Sequence, residues 1–218
     1  MPGPPPLDSA EYARQVNEVR RVGAKMSSKR TADQTAAAVF WTALAAPLWN
    51  QAARQAAAQK GSDLVDAARM FAMLNMTGTD ALIACWRRKY AHNLWRPIHA
   101  IRNADISSNP AIAPDPYWEP LIVTSPFPEY VSGHAAWAGA SERVLQAFFG
   151  ADRMSLTVVN PAVGITRRYE SFSQMAREVN DARVWGGVHY RISDEHGFEL
   201  GRAGADHGLQ NYMLPINR

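Results

Sequence analysis

The chain has 218 residues, of which 47% are hydrophobic and 20% charged, with a formal net charge of +3. That is enough apolar material for one domain with a sizeable core, and too much for a disordered chain. The mild charge, with no basic run longer than Arg87-Arg88-Lys89, leaves no nucleic-acid footprint, and no window has the apolar length of a membrane span.

The single cysteine, Cys85 in LIACW, excludes an internal disulfide and reads as an inert buried thiol. The opening MPGPPPL lacks the basic and apolar regions of a signal peptide, so a soluble, cytoplasmic protein is expected. Residues 1–8 read as a disordered Pro-rich tail and residues 9–218 as one helical domain.

From Ser9 the apolar residues Tyr12, Val16, Val19 and Val22 recur at helical spacing. After a polar break, Asp33 opens a long Ala-rich helical stretch that Pro47 should kink or split and Gly61 should end. Ser62-Asp63 caps the next helix, and Thr77-Gly78-Thr79-Asp80 reads as a turn before another, which ends at Arg96-Pro97. Pro97 suits the first position of a short helix. Residues 103–131 look irregular and hold six of the 14 prolines, and a loop of that length is commonly functional. Ser132 caps a helix to about Phe149. The string SLTVV has some strand character but is too short for a sheet. Ser171 or Ser173 begins a helix stopped by Gly186-Gly187, and Ser193-Asp194-Glu195 caps the last one. The expected fold is an all-α bundle of about seven or eight helices.

Three clusters carry the chemistry. In the first, Lys89 and Arg96 are seven residues apart, nearly two turns, so both charges share a helix face. The second is Ser132-Gly133-His134, where free helix-terminal amides offer an anion site and His134 sits in the first turn. In the third, Arg183 and His189 flank Gly186-Gly187, a break that lets them converge. Alone, each has a plain structural explanation: a solvated basic face, a helix cap with an exposed histidine, and a helix end followed by a structural histidine. Together they supply three cations, two histidines, a hydroxyl and free amides, which suits a tetrahedral oxyanion such as phosphate or vanadate. There is no Walker-type loop, HExxH or paired-Cys pattern.

These residues resemble the superfamily that joins vanadium-dependent haloperoxidases to type 2 phosphatidic acid phosphatases and bacterial class A acid phosphatases. Its signature reads Lys, six residues, Arg-Pro; then Pro-Ser-Gly-His; then Ser-Arg, five residues, His, three residues, Asp. Lys89, Arg96 and Pro97 match the first part. Ser132, Gly133 and His134 match the second, with Val131 for its Pro. Arg183 and His189 match the third, with Ala182 for its Ser and Ser193 for its Asp. Asp194 or Glu195 then stands nearest as the acid to orient His189, and Asp33 is a candidate to hold Arg183. The surroundings, SPFPEYVSGHAAWAGA and GGVHYRISDEHGFELG, resemble the haloperoxidases most. Trp86 and Phe127 stand where chlorinating members carry aromatic residues at the halide and substrate pocket.

The resemblance implies vanadate bonded to His189, a catalytic domain over residues 9–218, and an oxyanion pocket of Lys89, Arg96, Ser132, Gly133 and Arg183. His134 is then the acid–base, and Lys89 polarises peroxide bound to the vanadium. Hydrogen peroxide, chloride or bromide and a small organic molecule are the implied reactants. The alternatives are a phosphomonoesterase with phosphate in the same pocket and His189 as nucleophile, and a silent helical scaffold. His92 and His99 flank Arg96 and read as structural or surface residues. Family haloperoxidases are longer, so this chain corresponds to the catalytic half. Truncation, a compact form and a homodimer covering the exposed apolar surface all stay open.

Overall fold

The computed structural model describes residues 2–107 and 109–214. Eight α-helices run through them: α1 (Ala10–Val22), α2 (Ala32–Phe40), α3 (Ala45–Lys60), α4 (Leu64–His92), α5 (Pro97–Arg102), α6 (Gly133–Phe149), α7 (Phe172–Trp185) and α8 (Arg191–Asn211). The bundle expected from the helical spacing is present, joined by one antiparallel hairpin, β1 (Arg153–Asn160) and β2 (Ile165–Ser171). No helix among the described residues is long and apolar enough to cross a membrane.

The start of each helix follows local chemistry. Ser9, Thr31, Asp63, Ser132 and Ser171 cap five of them by accepting a backbone N–H with the side chain. Pro47 falls in the first turn of α3, where its missing N–H costs no helical bond, so the split occurs just before it. α5 opens with Pro97 directly after Arg96. Ahead of α1, the Pro6 carbonyl accepts from Ser9, and the Tyr130 hydroxyl donates to the Pro2 carbonyl at 2.7 Å.

Three local expectations are corrected. The turn expected at Thr77–Asp80 is helical, because α4 runs straight through it. Thr77 and Thr79 bond back to the carbonyls of Met73 and Asn75, and Gly78 lies against the Trp137 ring, so packing overrides a poor helical string. The last helix begins at Arg191 rather than at a Ser193 cap, and Ser193 and Asp194 turn inward from its first turn.

The third correction is the hairpin. Met154, Leu156, Val158 and Asn160 are buried while the residues between them are exposed, a period of two that a five-residue reading was too short to register. The outer edge of β1 is paired by side chains of α3. Gln51 donates to the Val159 carbonyl and accepts from its N–H, Gln55 does the same with Thr157, and Gln59 donates to Ser155. Four residues of helix rise about 6 Å and two of strand about 6.7 Å, so the two spacings nearly match.

α6 and α8 form the centre, with α4 packed against both. Glycines set how closely the pair approaches: a Cβ on Gly201 would stand 1.9 Å from the Ala136 carbonyl oxygen, and one on Gly139 2.1 Å from that of Phe198. This crossing fixes the start of α6 against the start of α8. The irregular chain from 103 to 131, with one 3-10 turn at Ala104–Ile106 among its described residues, then passes over both starts.

Candidate active site

Lys89 comes from the last turn of α4 and is buried. Its ammonium donates to the carbonyls of Pro128 (3.0 Å) and Glu129 (2.9 Å). Arg96 donates to the carbonyls of Phe127 and Val188, both at 2.8 Å, and reaches His189 Nε2 with Nη1 at 3.2 Å. The shared helix face expected for Lys89 and Arg96 is therefore corrected: α4 ends at His92 with Asn93 in the left-handed region, and Arg96 stands just before α5, so the two charges converge on segment 127–129 from separate elements. Arg183, in the last turn of α7, donates to the Trp41 carbonyl at 2.6 Å. Gly187 takes φ 80°, and a Cβ there would meet the Gly23 carbonyl oxygen at 2.5 Å. The chain therefore breaks there and brings His189 round to the side of Arg183.

At the start of α6, the Ser132 hydroxyl accepts from the Ala135 N–H. The N–H groups of Gly133 and His134 meet no acceptor among the described residues. A cavity of about 330 Å³ opens beside them. Lys89, Gly133, His134, Arg183 and His189 line one part of it, and a mostly apolar wall that includes Leu44, Leu82, Trp86, Phe127 and Trp137, with Ser125 among them, lines the rest. The Trp86 and Phe127 rings pack at 4.7 Å, and Phe127 also lies over the Lys89 ammonium (5.3 Å) and the Arg96 guanidinium (4.9 Å). The Ser132 hydroxyl is buried as a cap and does not line the cavity.

The acid on His189 is neither Asp194 nor Glu195. Glu129 Oε1 accepts from His189 Nδ1 at 2.8 Å and from the Tyr190 N–H at 2.9 Å, and Oε2 accepts from the Ser193 hydroxyl. Burial pushes the Glu129 carboxyl up, while Arg96, Ser193 and Lys89 oppose that. Three donors and no acceptor on its oxygens fit the carboxylate form. Asp194 is buried, and neither oxygen meets a donor in bonding geometry; burial pushes its carboxyl well above the ordinary carboxylate range, the Ser132 hydroxyl and the Arg183 charge opposing that only in part. Glu195 is exposed. Asp33 pairs with Arg167 rather than Arg183, at 2.6 Å. His99 is exposed and His92 packs edge-on to Tyr130, both away from the cavity lining.

A family model described as the VCPO second helical-bundle domain matches residues 69–218. The chain belongs to that family. The vanadium chloroperoxidase of Curvularia inaequalis is 30% identical over 171 residues, covering 65% of this chain and 27% of that protein. The crystal structure of the first bacterial vanadium-dependent iodoperoxidase superposes with a TM-score of 0.82 at 31% identity, covering 96% of this chain and 52% of that one. A holo-type bacterial vanadium-dependent chloroperoxidase gives a TM-score of 0.74 at 18% identity, over 91% of this chain and 47% of its own, a likeness of fold alone. The chain spans about a quarter of the curated relative and about half of the solved structures. Within the superfamily, its relatives are on the haloperoxidase branch.

A vanadium haloperoxidase domain needs a place for a multiply charged oxyanion, and the donors of this chain fit one. Arg96 Nη2 and Arg183 Nε are buried with no hydrogen-bond partner among the described residues. An unmet buried donor costs about 1–3 kcal/mol, more when charged. Burial holds the Lys89 ammonium down at about 8, and holds Arg183 at about 10 with help from the Arg96 charge. Burial and then Arg183 hold His134 at about 3, and burial with Arg96 and Lys89 holds His189 well below its ordinary value. Crowded cations and neutral imidazoles are what an anion would relieve. His134 donates Nε2–H to the Ala43 carbonyl at 2.9 Å, which leaves Nδ1 free to take a proton.

Glu129 was missed because its partner is sixty positions away. The available signal was a single carboxylate inside an apolar, Pro-rich string just before Ser132, in a chain whose third motif ends in Ser193.

Proposed function

We propose that this chain is a vanadium-dependent haloperoxidase that oxidises chloride or bromide with hydrogen peroxide, with His189 as the vanadium ligand. The observation that carries the reading is the pair of unpartnered buried donors, Arg96 Nη2 and Arg183 Nε, beside an imidazole whose Nε2 keeps its lone pair. Lys89, Arg96, Arg183 and the Gly133 amide would hold the vanadate oxygens. Ser132 completes the set only by giving up its cap on Ala135. When bound, vanadate supplies a Lewis-acid centre that activates hydrogen peroxide toward halide without changing its own oxidation state. His134 would hold and return the proton through Nδ1. Lys89 would place positive charge next to the reacting oxygen. Trp86, Phe127 and the apolar wall would exclude water and seat the halide and a small organic molecule.

The same donors suit phosphate, and an imidazole with Nδ1 held by a carboxylate and a lone pair on Nε2 is also what a nucleophilic histidine needs. The second reading is therefore a phosphomonoesterase that forms a phosphohistidine at His189.

One metal-free preparation separates them. Half is loaded with orthovanadate and given peroxide with chloride, bromide or iodide, and half is given a phosphomonoester without vanadate. Halide oxidation that needs vanadate and disappears in His189→Ala is the expected result. Phosphate release with no halide turnover would overturn the haloperoxidase reading, and loss of both activities in folded protein would leave the silent scaffold.

A further inference from the structure

We infer that Glu129 is the positioning carboxylate of His189, and that positions 129 and 193 are two alternative sources of that carboxylate, of which this chain uses the loop rather than the helix. The inference rests on the oxyanion-site reading above but concerns a different pair of residues.

Glu129 has no exposed surface, and each of its oxygens is spoken for. Oε1 takes the His189 Nδ1 proton at 2.8 Å and the Tyr190 N–H at 2.9 Å, so it fixes both the ring and the backbone on which the ring is mounted. A proton held on Nδ1 leaves Nε2 as the lone-pair nitrogen, consistent with Arg96 donating toward it at 3.2 Å. Oε2 takes the Ser193 hydroxyl. Ser193 is four residues after His189, one helical turn along α8, and is itself fully buried. Its side chain therefore touches the carboxylate from the helix side while Glu129 delivers it from the loop side. Aspartate at 193 would bring a carboxylate to the spot that Glu129 fills, and the superfamily signature has its acid at that position. Two carboxylates cannot share the spot in a buried site without one being neutralised. The two positions should therefore trade off: acid at one requires a short neutral residue at the other. The second motif reads Glu129-Tyr130-Val131-Ser132-Gly133-His134 and the third ends in Ser193, which is the pairing this rule requires.

The test uses the full chain, ¹⁵N-labelled at histidine, with the tautomer of His189 read by NMR and the affinity for orthovanadate and inorganic phosphate read by calorimetry. Wild type should carry the proton on Nδ1. Glu129→Ala leaves Arg96 donating to Nε2, so the proton should stay on Nδ1, but the ring loses its anchor and should bind either anion about 10–100-fold more weakly, as removal of a ligand's supporting partner typically does. Ser193→Asp alone should also weaken binding. The double variant Glu129→Ala/Ser193→Asp should regain most of the affinity, and a merely structural role for Glu129 would not give that rescue. Glu129→Gln keeps an acceptor oxygen at the same length, so it should keep the tautomer while its Nδ1 proton resonance moves upfield as the charge is lost. This last readout decides the matter if the alanine variants do not fold. Unweakened anion binding in folded Glu129→Ala, an unmoved resonance in Glu129→Gln, or a folded double variant as weak as the single ones would overturn the inference. If wild type binds neither anion, the function proposed above fails, while the Nδ1 proton resonance in Glu129→Gln still settles the role of Glu129.

Discussion

Arg183 shows how one side chain divides its donors between holding the fold and serving the site. Nη1 is committed to the Trp41 carbonyl, and Nε is buried with no partner among the described residues. Lysine at 183 keeps a charge but offers a compact ammonium in place of the planar fork. Arg183→Lys should therefore bind orthovanadate and phosphate about tenfold or more less tightly, the equivalent of about 1.4 kcal/mol, with the melting temperature little changed. Calorimetry beside a thermal melt checks both halves of that expectation. Arg183, Lys89, Arg96, His134 and His189 stand out in the sequence only as three short strings taken together, and of these the Lys89–Arg96 spacing misleads, because α4 ends at His92 and Arg96 belongs to the start of α5. Glu129 was not legible, because its contact joins a loop to a segment sixty positions on, and no local period records such a pair. Ser132 was legible as a cap, and its hydroxyl is used as one.

Among the elements, the crossing of α6 and α8 positions the starts of the two helices that carry the site. Gly201→Ala puts a Cβ 1.9 Å from the Ala136 carbonyl oxygen, a backbone atom that cannot swing away. The helices must separate, and a loss of about 1–3 kcal/mol is expected, together with weaker anion binding as the α6 terminus shifts. Gly204, on the same helix, has nothing within 4 Å of an added Cβ, so Gly204→Ala should stabilise by about 0.5–1 kcal/mol through helix propensity alone. Urea unfolding of the two variants side by side reads the contrast. The helices themselves were largely legible from caps and spacing. Two of the failures have separate causes: Thr77–Asp80 has poor helical propensity but is held in α4 by tertiary packing, and β1 reveals its alternation only when all eight of its residues are read.

For the molecule as a whole, stability should depend on pH partly through Asp152, which ties α6, the hairpin and α7 together. Its oxygens accept from the Ser173 N–H (2.9 Å) and hydroxyl (2.6 Å) and from Gln146 (2.9 Å). Burial alone would raise this carboxyl, but those hydrogen bonds outweigh it and hold the carboxyl below its ordinary value. A depressed carboxylate adds stability above its unfolded pKa, about 3.9, and loses it as pH falls through the lower folded value. Asp152→Asn should be less stable than wild type at neutral pH, and the gap should close as pH falls below about 4. Urea midpoints measured across that range give the difference directly. The hairpin that Asp152 anchors has a further property at this scale. An open β edge is a template on which another chain can add a strand, and most proteins blunt it with charge, proline or a bulge. Here three glutamines on α3 occupy the free bonds of β1 as a third strand would, with amides in place of backbone. Side chains anchored to a rigid helix cannot slip in register along the strand. Along this edge the N–H and carbonyl of Thr157 and Val159 and the carbonyl of Ser155 are already taken, so an incoming strand would first have to displace the helix's own amides.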